Sequence, residues 1–211
     1  MRNYLLVLLS CFTFLANAQV PKGYVLIKDL PLFKKNFAAA SNTINSIKAD
    51  FVQEKNLSVL SEKISSKGTF QFKKQSKARL EYISPFKYLF IINGNNVYIK
   101  DDQKTNTYSS KSNKAFENLN KLIIDCVQGT AIDNKNFTSV AYENDKQYLL
   151  IMTPVLKSFK DYFKKIHVYI DKSNYSVNRL EMIEVSGDNT VLIFSNKQFN
   201  LSLNEENFIL K

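Results

Sequence analysis

Tight turns recur along this chain at intervals too short for anything but antiparallel strands. Asn93-Gly94 lies between the apolar runs Leu89–Ile92 and Val97–Ile99, the strongest short-range hairpin signal a sequence offers. Gly187-Asp188-Asn189 joins Arg179–Val185 to Thr190–Phe194 in the same way. Glu143-Asn144-Asp145-Lys146 links Phe137–Tyr142 to Tyr148–Thr153, and Asp171-Lys172-Ser173-Asn174 follows the strand Ile166–Ile170. Further strands are expected at Ala49–Lys55, Lys67–Lys74 and Arg79–Ile83. A parallel pair would need a crossover of a dozen residues or more. These connections are far shorter, so the sheet should be an antiparallel meander.

Two helices interrupt the pattern. Pro31 sits where a first helical residue belongs, and Phe33, Phe37, Ala40, Ile44 and Ile47 then recur at 4-3-4-3 spacing as one apolar stripe. Asn113 can cap a second helix carrying Phe116, Leu119, Leu122, Ile123 and Cys126, with Gly129 as its stop. A third, short helical turn is expected between Pro154 and Phe163.

Several strands are apolar on both faces, notably Leu89-Phe90-Ile91-Ile92, Tyr148–Met152 and Val191–Phe194. An antiparallel sheet usually wets one face. Two amphipathic helices can cover only one side of a long curved sheet. The concave side must therefore close on its own side chains or hold an apolar ligand, and sixteen phenylalanines with no tryptophan supply a wide, soft lining.

The N-terminus has the anatomy of a secretory leader: Arg2, an apolar run from Tyr4 to Leu15, then Ala16-Asn17-Ala18. Cleavage between Ala18 and Gln19 is expected, leaving residues 19–211 as a single domain in the periplasm. Lipidation at Cys11 is the lesser alternative, because the apolar run continues past it. The remaining Cys126 then has no disulfide partner and lies among apolar neighbours, as a small buried hydrophobe does. The chain carries 29 basic and 19 acidic side chains, a net charge of +10. The lysines are scattered, so no nucleic-acid partner is expected; an anionic membrane surface or an acidic partner suits the charge better.

Residues for catalysis are sparse. The single histidine, His167, is centred in an alternating strand opposite Ile166, Val168 and Ile170, and five dispersed glycines make no phosphate loop. The carboxylate pairs Asp101-Asp102 and Glu205-Glu206 sit in turn-like surroundings. We expect no enzyme, no metal and no cofactor; a hydrolase with carboxylates assembled in space is the least supported reading.

The order of features carries more. Ile47–Lys55 contains Phe51-Val52-Gln53 directly after the first helix; Gly68-Thr69-Phe70-Gln71-Phe72-Lys73-Lys74 and Arg79-Leu80-Glu81-Tyr82-Ile83-Ser84-Pro85 follow. Ile91–Ile99 with its Asn93-Gly94 turn comes next, and Ile166–Ile170, Val177–Val185, Gly187–Thr190 and Phe194–Phe208 close the series. From Leu30 to Ile209 this order resembles the periplasmic outer-membrane lipoprotein carrier family (LolA-type). The resemblance implies a half-open antiparallel β-barrel of about eleven strands, lidded by two or three α-helices over a concave apolar cavity. It implies a periplasmic, non-enzymatic, monomeric carrier that shields the acyl chains of lipoproteins and moves them from inner to outer membrane. The implied partners are acylated lipoproteins or other lipid cargo, an inner-membrane release transporter and an outer-membrane acceptor. The alternative is a lipid-sensing regulatory or scaffolding protein of the cell envelope with the same fold.

The residues expected to line the cavity are Phe51, Phe70, Phe72, Leu80, Tyr82 and Phe90, together with Ile92, Tyr98, Phe116, Leu150 and Met152. A basic residue on the family's second strand helps to hold the lid; Lys74 takes that place here, and Arg79 matches the basic residue of the next strand. The sequence departs from the family where Gln75 stands for a common proline and Leu80 for an aromatic. Lysine lacks arginine's planar fork, so a Lys74 latch should be weaker. The cargo is accordingly open between a triacylated lipoprotein and another lipid.

Overall fold

The computed structural model describes residues 20–59, 63–101, 105–109, 122, 124–127 and 129–210. The leader with Ala18 and Gln19, and most of the second expected helix with Asn113 and Phe116, lie outside them.

Twelve antiparallel strands among the described residues form one continuous sheet. They are β1 (Val25–Leu26), β2 (Ser46–Asn56), β3 (Lys63–Lys73), β4 (Lys77–Ser84), β5 (Tyr88–Asn93), β6 (Asn96–Asp101), β7 (Thr105–Ser109), β8 (Phe137–Glu143), β9 (Gln147–Pro154), β10 (Phe163–Asp171), β11 (Val177–Glu184) and β12 (Asn189–Phe199). The spatial order is β1-β8-β9-β10-β11-β12-β2-β3-β4-β5-β6-β7, so among the described residues β1 and β7 are the edges and the sheet is not closed. The first strand has only two residues, which makes this the expected strand number plus one minimal edge. β12 joins the two halves by pairing with β2, Phe194 opposite Phe51 and Phe199 opposite Ile47.

The hairpin turns fall where the turn residues stand. Asn93 pairs with Asn96 across Gly94, whose φ of +58° is the left-handed geometry that favours glycine. A different glycine is required by close approach. A Cβ on Gly68 would stand 2.1 Å from the Glu81 carbonyl oxygen and 2.7 Å from the ring of Phe51, which lies across the strand at that point.

Helix α1 (Leu30–Asn42) begins as expected, with Asp29 accepting the Leu32 amide at 2.9 Å and proline in its first turn. It ends earlier than the apolar spacing suggests. Thr43 caps the helix through its hydroxyl to the Ala40 carbonyl, 2.7 Å, and the Asn45 amide then turns to the Asn200 side chain, 2.7 Å. Ile44 and Ile47 are still buried, from a turn and from β2, because the chain re-enters the core as strand. Residues 122 and 124–127 are helical. A short helix, α2 (Lys157–Lys160), buries Phe159 against Phe137.

One large core fills the concave side. It takes Phe33 and Phe37 from α1 and the alternate residues Ile166, Val168 and Ile170 of β10. Ala49 and Phe51 of β2, Phe70 and Phe72 of β3, and Leu180 and Leu192 join them. The convex side has a cover of its own. The closing meander stops at Phe199, and the chain after it crosses β2 to β5 as a strap. Ser46 Oγ donates to the Leu201 carbonyl (2.6 Å), Lys73 Nζ to that of Leu203 (2.9 Å), Arg79 Nη1 to that of Asn207 (3.0 Å) and Asn93 Nδ2 to that of Phe208 (3.2 Å). Leu203 and Phe208 then bury Ile91 between them. This explains how Leu89–Ile92 is apolar on both faces: one face meets the core, the other the strap.

Candidate functional site

The concave core is not completely filled. Between the sheet and the helical residues 124–127 lies a partly open space of about 50 Å³, room for a few water molecules. Ile44, Ala49, Phe70, Leu80, Leu180 and Leu192 form its apolar walls, and Ile47, Phe194, Cys126, Val127, Tyr175, Ser176 and Val177 complete them. Burial pushes the Cys126 thiol up to about 12, so it stays protonated and unreactive.

Lys197 is the one charged side chain among the described residues of this lining. It reaches the cavity through a β-bulge. Ser195 pairs with Asp50 and Gln198 with Lys48, so β12 carries one residue too many, and Asn196 within it is left-handed at φ +51°. Strict alternation after Leu192 and Phe194 would turn Lys197 outward; the extra residue turns it in. Its ammonium donates to Ser176 Oγ, to Asn178 Oδ1 and, at 3.3 Å, to the Val177 carbonyl. Burial holds its pKa below the usual lysine range, against the pull of Asp171.

Helix α1 covers the neighbouring part of the concave face. Phe33 and Phe37 stack with centroids 5.6 Å apart, and Phe33 meets Tyr148 at 4.6 Å. At the far end, Lys74 Nζ donates to the carbonyl of Asn42, the last residue of the helix, at 2.8 Å. An ion pair of Lys34 with Asp133 (2.5 Å) is exposed and adds little. Gly129 lets the segment after the second helix touch α1: a Cβ there would stand 2.7 Å from the Phe37 carbonyl oxygen.

The residues expected to line a cavity divide into groups. Phe70 and Leu80 line the present space. Phe51, Phe72, Ile92, Leu150 and Met152 are buried in the same core, with Phe90 and Tyr82 packed at its margin. Tyr82 stands edge-on to Phe51 at 4.9 Å and donates to Gln53. Tyr98 has to be corrected. It pairs with Ile91 and packs on the convex cluster under the strap, while its neighbour Val97 pairs with Ile92 and faces inward. Arg79 also needs correction, since its partners among the described residues are the strap and Glu81, not α1. It lies on the convex side between Gln71 and Ile91, bonded to the Asn207 carbonyl and to Glu81. Of the two basic residues, Lys74 alone touches α1. Sequence reasoning missed Lys197, Ile44 and Leu180; the bulge that admits Lys197 has no local signal beyond an asparagine suited to the left-handed region.

An open antiparallel sheet, curved around an apolar space and covered by helices, defines a half-open β-barrel. A family model described as outer membrane lipoprotein carrier protein LolA matches residues 42–211, and the chain belongs to that family. No curated protein matches the sequence. Among solved structures, an uncharacterized conserved protein from Thermus thermophilus is 9% identical, with 82% of this chain and 91% of that one covered, TM-score 0.51. MucB is 12% identical over 86% of this chain and 62% of its own, TM-score 0.51; it has also been solved with MucA from Pseudomonas aeruginosa. The Mycobacterium tuberculosis lipoprotein LppX is 13% identical over 83% and 99%, TM-score 0.46. At such identities the fold is what is shared. No helix among the described residues is long and apolar enough to cross a membrane.

Proposed function

We propose that this protein is exported to the periplasm, loses residues 1–18 and carries acyl chains between envelope membranes, with α1 as the lid of its cavity. The observation that supports this most is the way α1 is held: chiefly by two buried phenylalanines, with the Lys74 hydrogen bond and the exposed Lys34–Asp133 pair, over a concave apolar face. Exposing Phe33 and Phe37 costs about 3–6 kcal/mol, at about 1.5–3 kcal/mol for each ring. Each acyl methylene withdrawn from water returns about 0.8 kcal/mol. Some four to eight methylenes therefore offset the opening, and a full acyl chain exceeds it. The 50 Å³ space is then the closed state, which cargo enlarges by displacing the lid into solvent.

The test is native mass spectrometry of the protein isolated from its own envelope, followed by incubation with inner-membrane vesicles. The expected result is a bound acyl species in the first and release of a lipoprotein or lipid into the soluble complex in the second. Isolation free of acyl species, with nothing released from the vesicles, would overturn the proposal.

A further inference from the structure

The position of Lys197 narrows the cargo. A lining otherwise made of Ile, Leu, Phe, Val and Ala needs no charge to hold hydrocarbon. Alternation would have kept this lysine in solvent, and a bulge with a left-handed residue turns it inward instead. The bulge is pinned by Asn196 Nδ2 donating to Asp50 Oδ2 at 2.7 Å.

The ammonium's direct partners are neutral groups, with Asp171 acting on it from further off. Ser176, Asn178 and the Val177 carbonyl accept its protons. Asp171 stands behind Asn178, whose amide donates to it at 3.2 Å. The 3.3 Å contact to Val177 is the longest of the three, and a carboxylate oxygen would exchange it for a charge-assisted bond. Ser176 can donate its hydroxyl proton to the same head, because its oxygen already accepts from Lys197.

We propose that the cavity binds a single-chain amphiphile with a free carboxylate head, its chain along the Phe70–Leu80–Leu192 wall and its head on Lys197 and Ser176. This rests on the carrier reading and specifies its cargo. A chain linked by ester or amide presents only neutral carbonyls, which add no charge of their own at the ammonium and leave it the distant Asp171 alone. A phosphate head would bring more charge than one lysine answers, and the described lining offers no second cation.

The test uses the full chain freed of lipid, titrated calorimetrically with dodecanoate, dodecanol and dodecyl phosphate below their micellar concentrations. Dodecanoate should bind at least about tenfold tighter than dodecanol, the gain of one charge-assisted bond. Lys197→Met, which keeps an apolar stem, should bring dodecanoate to the level of dodecanol, and Lys197→Arg should keep the preference. Equal affinity for dodecanoate and dodecanol, or a preference that survives Lys197→Met, overturns the inference and leaves the carrier reading standing. Tighter binding of dodecyl phosphate than of dodecanoate also overturns it. Failure of all three amphiphiles to bind removes both. Should Lys197→Met not fold, the wild-type comparison of acid with alcohol decides.

Discussion

Replacing Phe37 by alanine separates a lid from a core helix. Phe37 is wholly buried and stacked on Phe33. Removing such a ring costs about 3–5 kcal/mol, comparable with the roughly 3–6 kcal/mol assigned above to closure of α1. If α1 is a lid over an independently stable sheet, the loss falls on its closure. Amide exchange within Phe33–Asn42 should then accelerate about a hundredfold or more, at about tenfold for each 1.4 kcal/mol. Protection in β2 and β3, which pair with each other, and in β10, which pairs with β9 and β11, should change by less than about tenfold. Cys126 gives a second reading, because it lies 5% exposed in the core that Phe33 and Phe37 share. Its alkylation, followed peptide by peptide, should be slow in the native chain and rise in parallel with α1 exchange. Equal loss of protection in helix and strands would refute the reasoning, since α1 would then be part of one cooperative core.

Two further perturbations test the frame around the site. Gly68→Ala would drive a methyl into the Glu81 carbonyl and the Phe51 ring, and a strand carbonyl cannot step aside. We expect at least about 2 kcal/mol of destabilisation by denaturant unfolding; a change below about half a kcal/mol would show that the strands separate freely there. Lys73 and Lys77 hold the Glu205 carboxyl down to about 2 from an ordinary 4.5. A depressed carboxylate supports the native state above its unfolded pKa and loses that support as pH falls towards 2. Exchange in the strap from Leu203 to Phe208 should therefore increase between about pH 4.5 and 2, and Glu205→Gln should remove that increment. An unchanged profile in Glu205→Gln would assign the transition to other groups.

Much of the fold was legible because its causes are local. Asn93-Gly94 sets a turn by its own dihedrals, Asp29 caps the amide three residues on, and the alternation Ile166-Val168-Ile170 follows from the pleat. The expected leader and the scattered charge bear on compartment, and both are read from composition. The site was legible only as a kind of residue. Sixteen phenylalanines announce an apolar interior, but which side a given one serves depends on register, and a shift of one residue exchanges the faces. Tyr98 and Val97 show this: adjacent in the chain, they lie on opposite sides of the sheet.

Local preference therefore determined the strands, their turns and the first helix. Tertiary structure alone decided where α1 stops, because Asn45 finds its partner at Asn200. It decided that Arg79 serves a strap reaching back from Asn207, and that Lys197 enters the cavity against its own alternation. Each of these depends on groups far apart in sequence. Their pairing has no local signature, since it comes into being only when the sheet assembles.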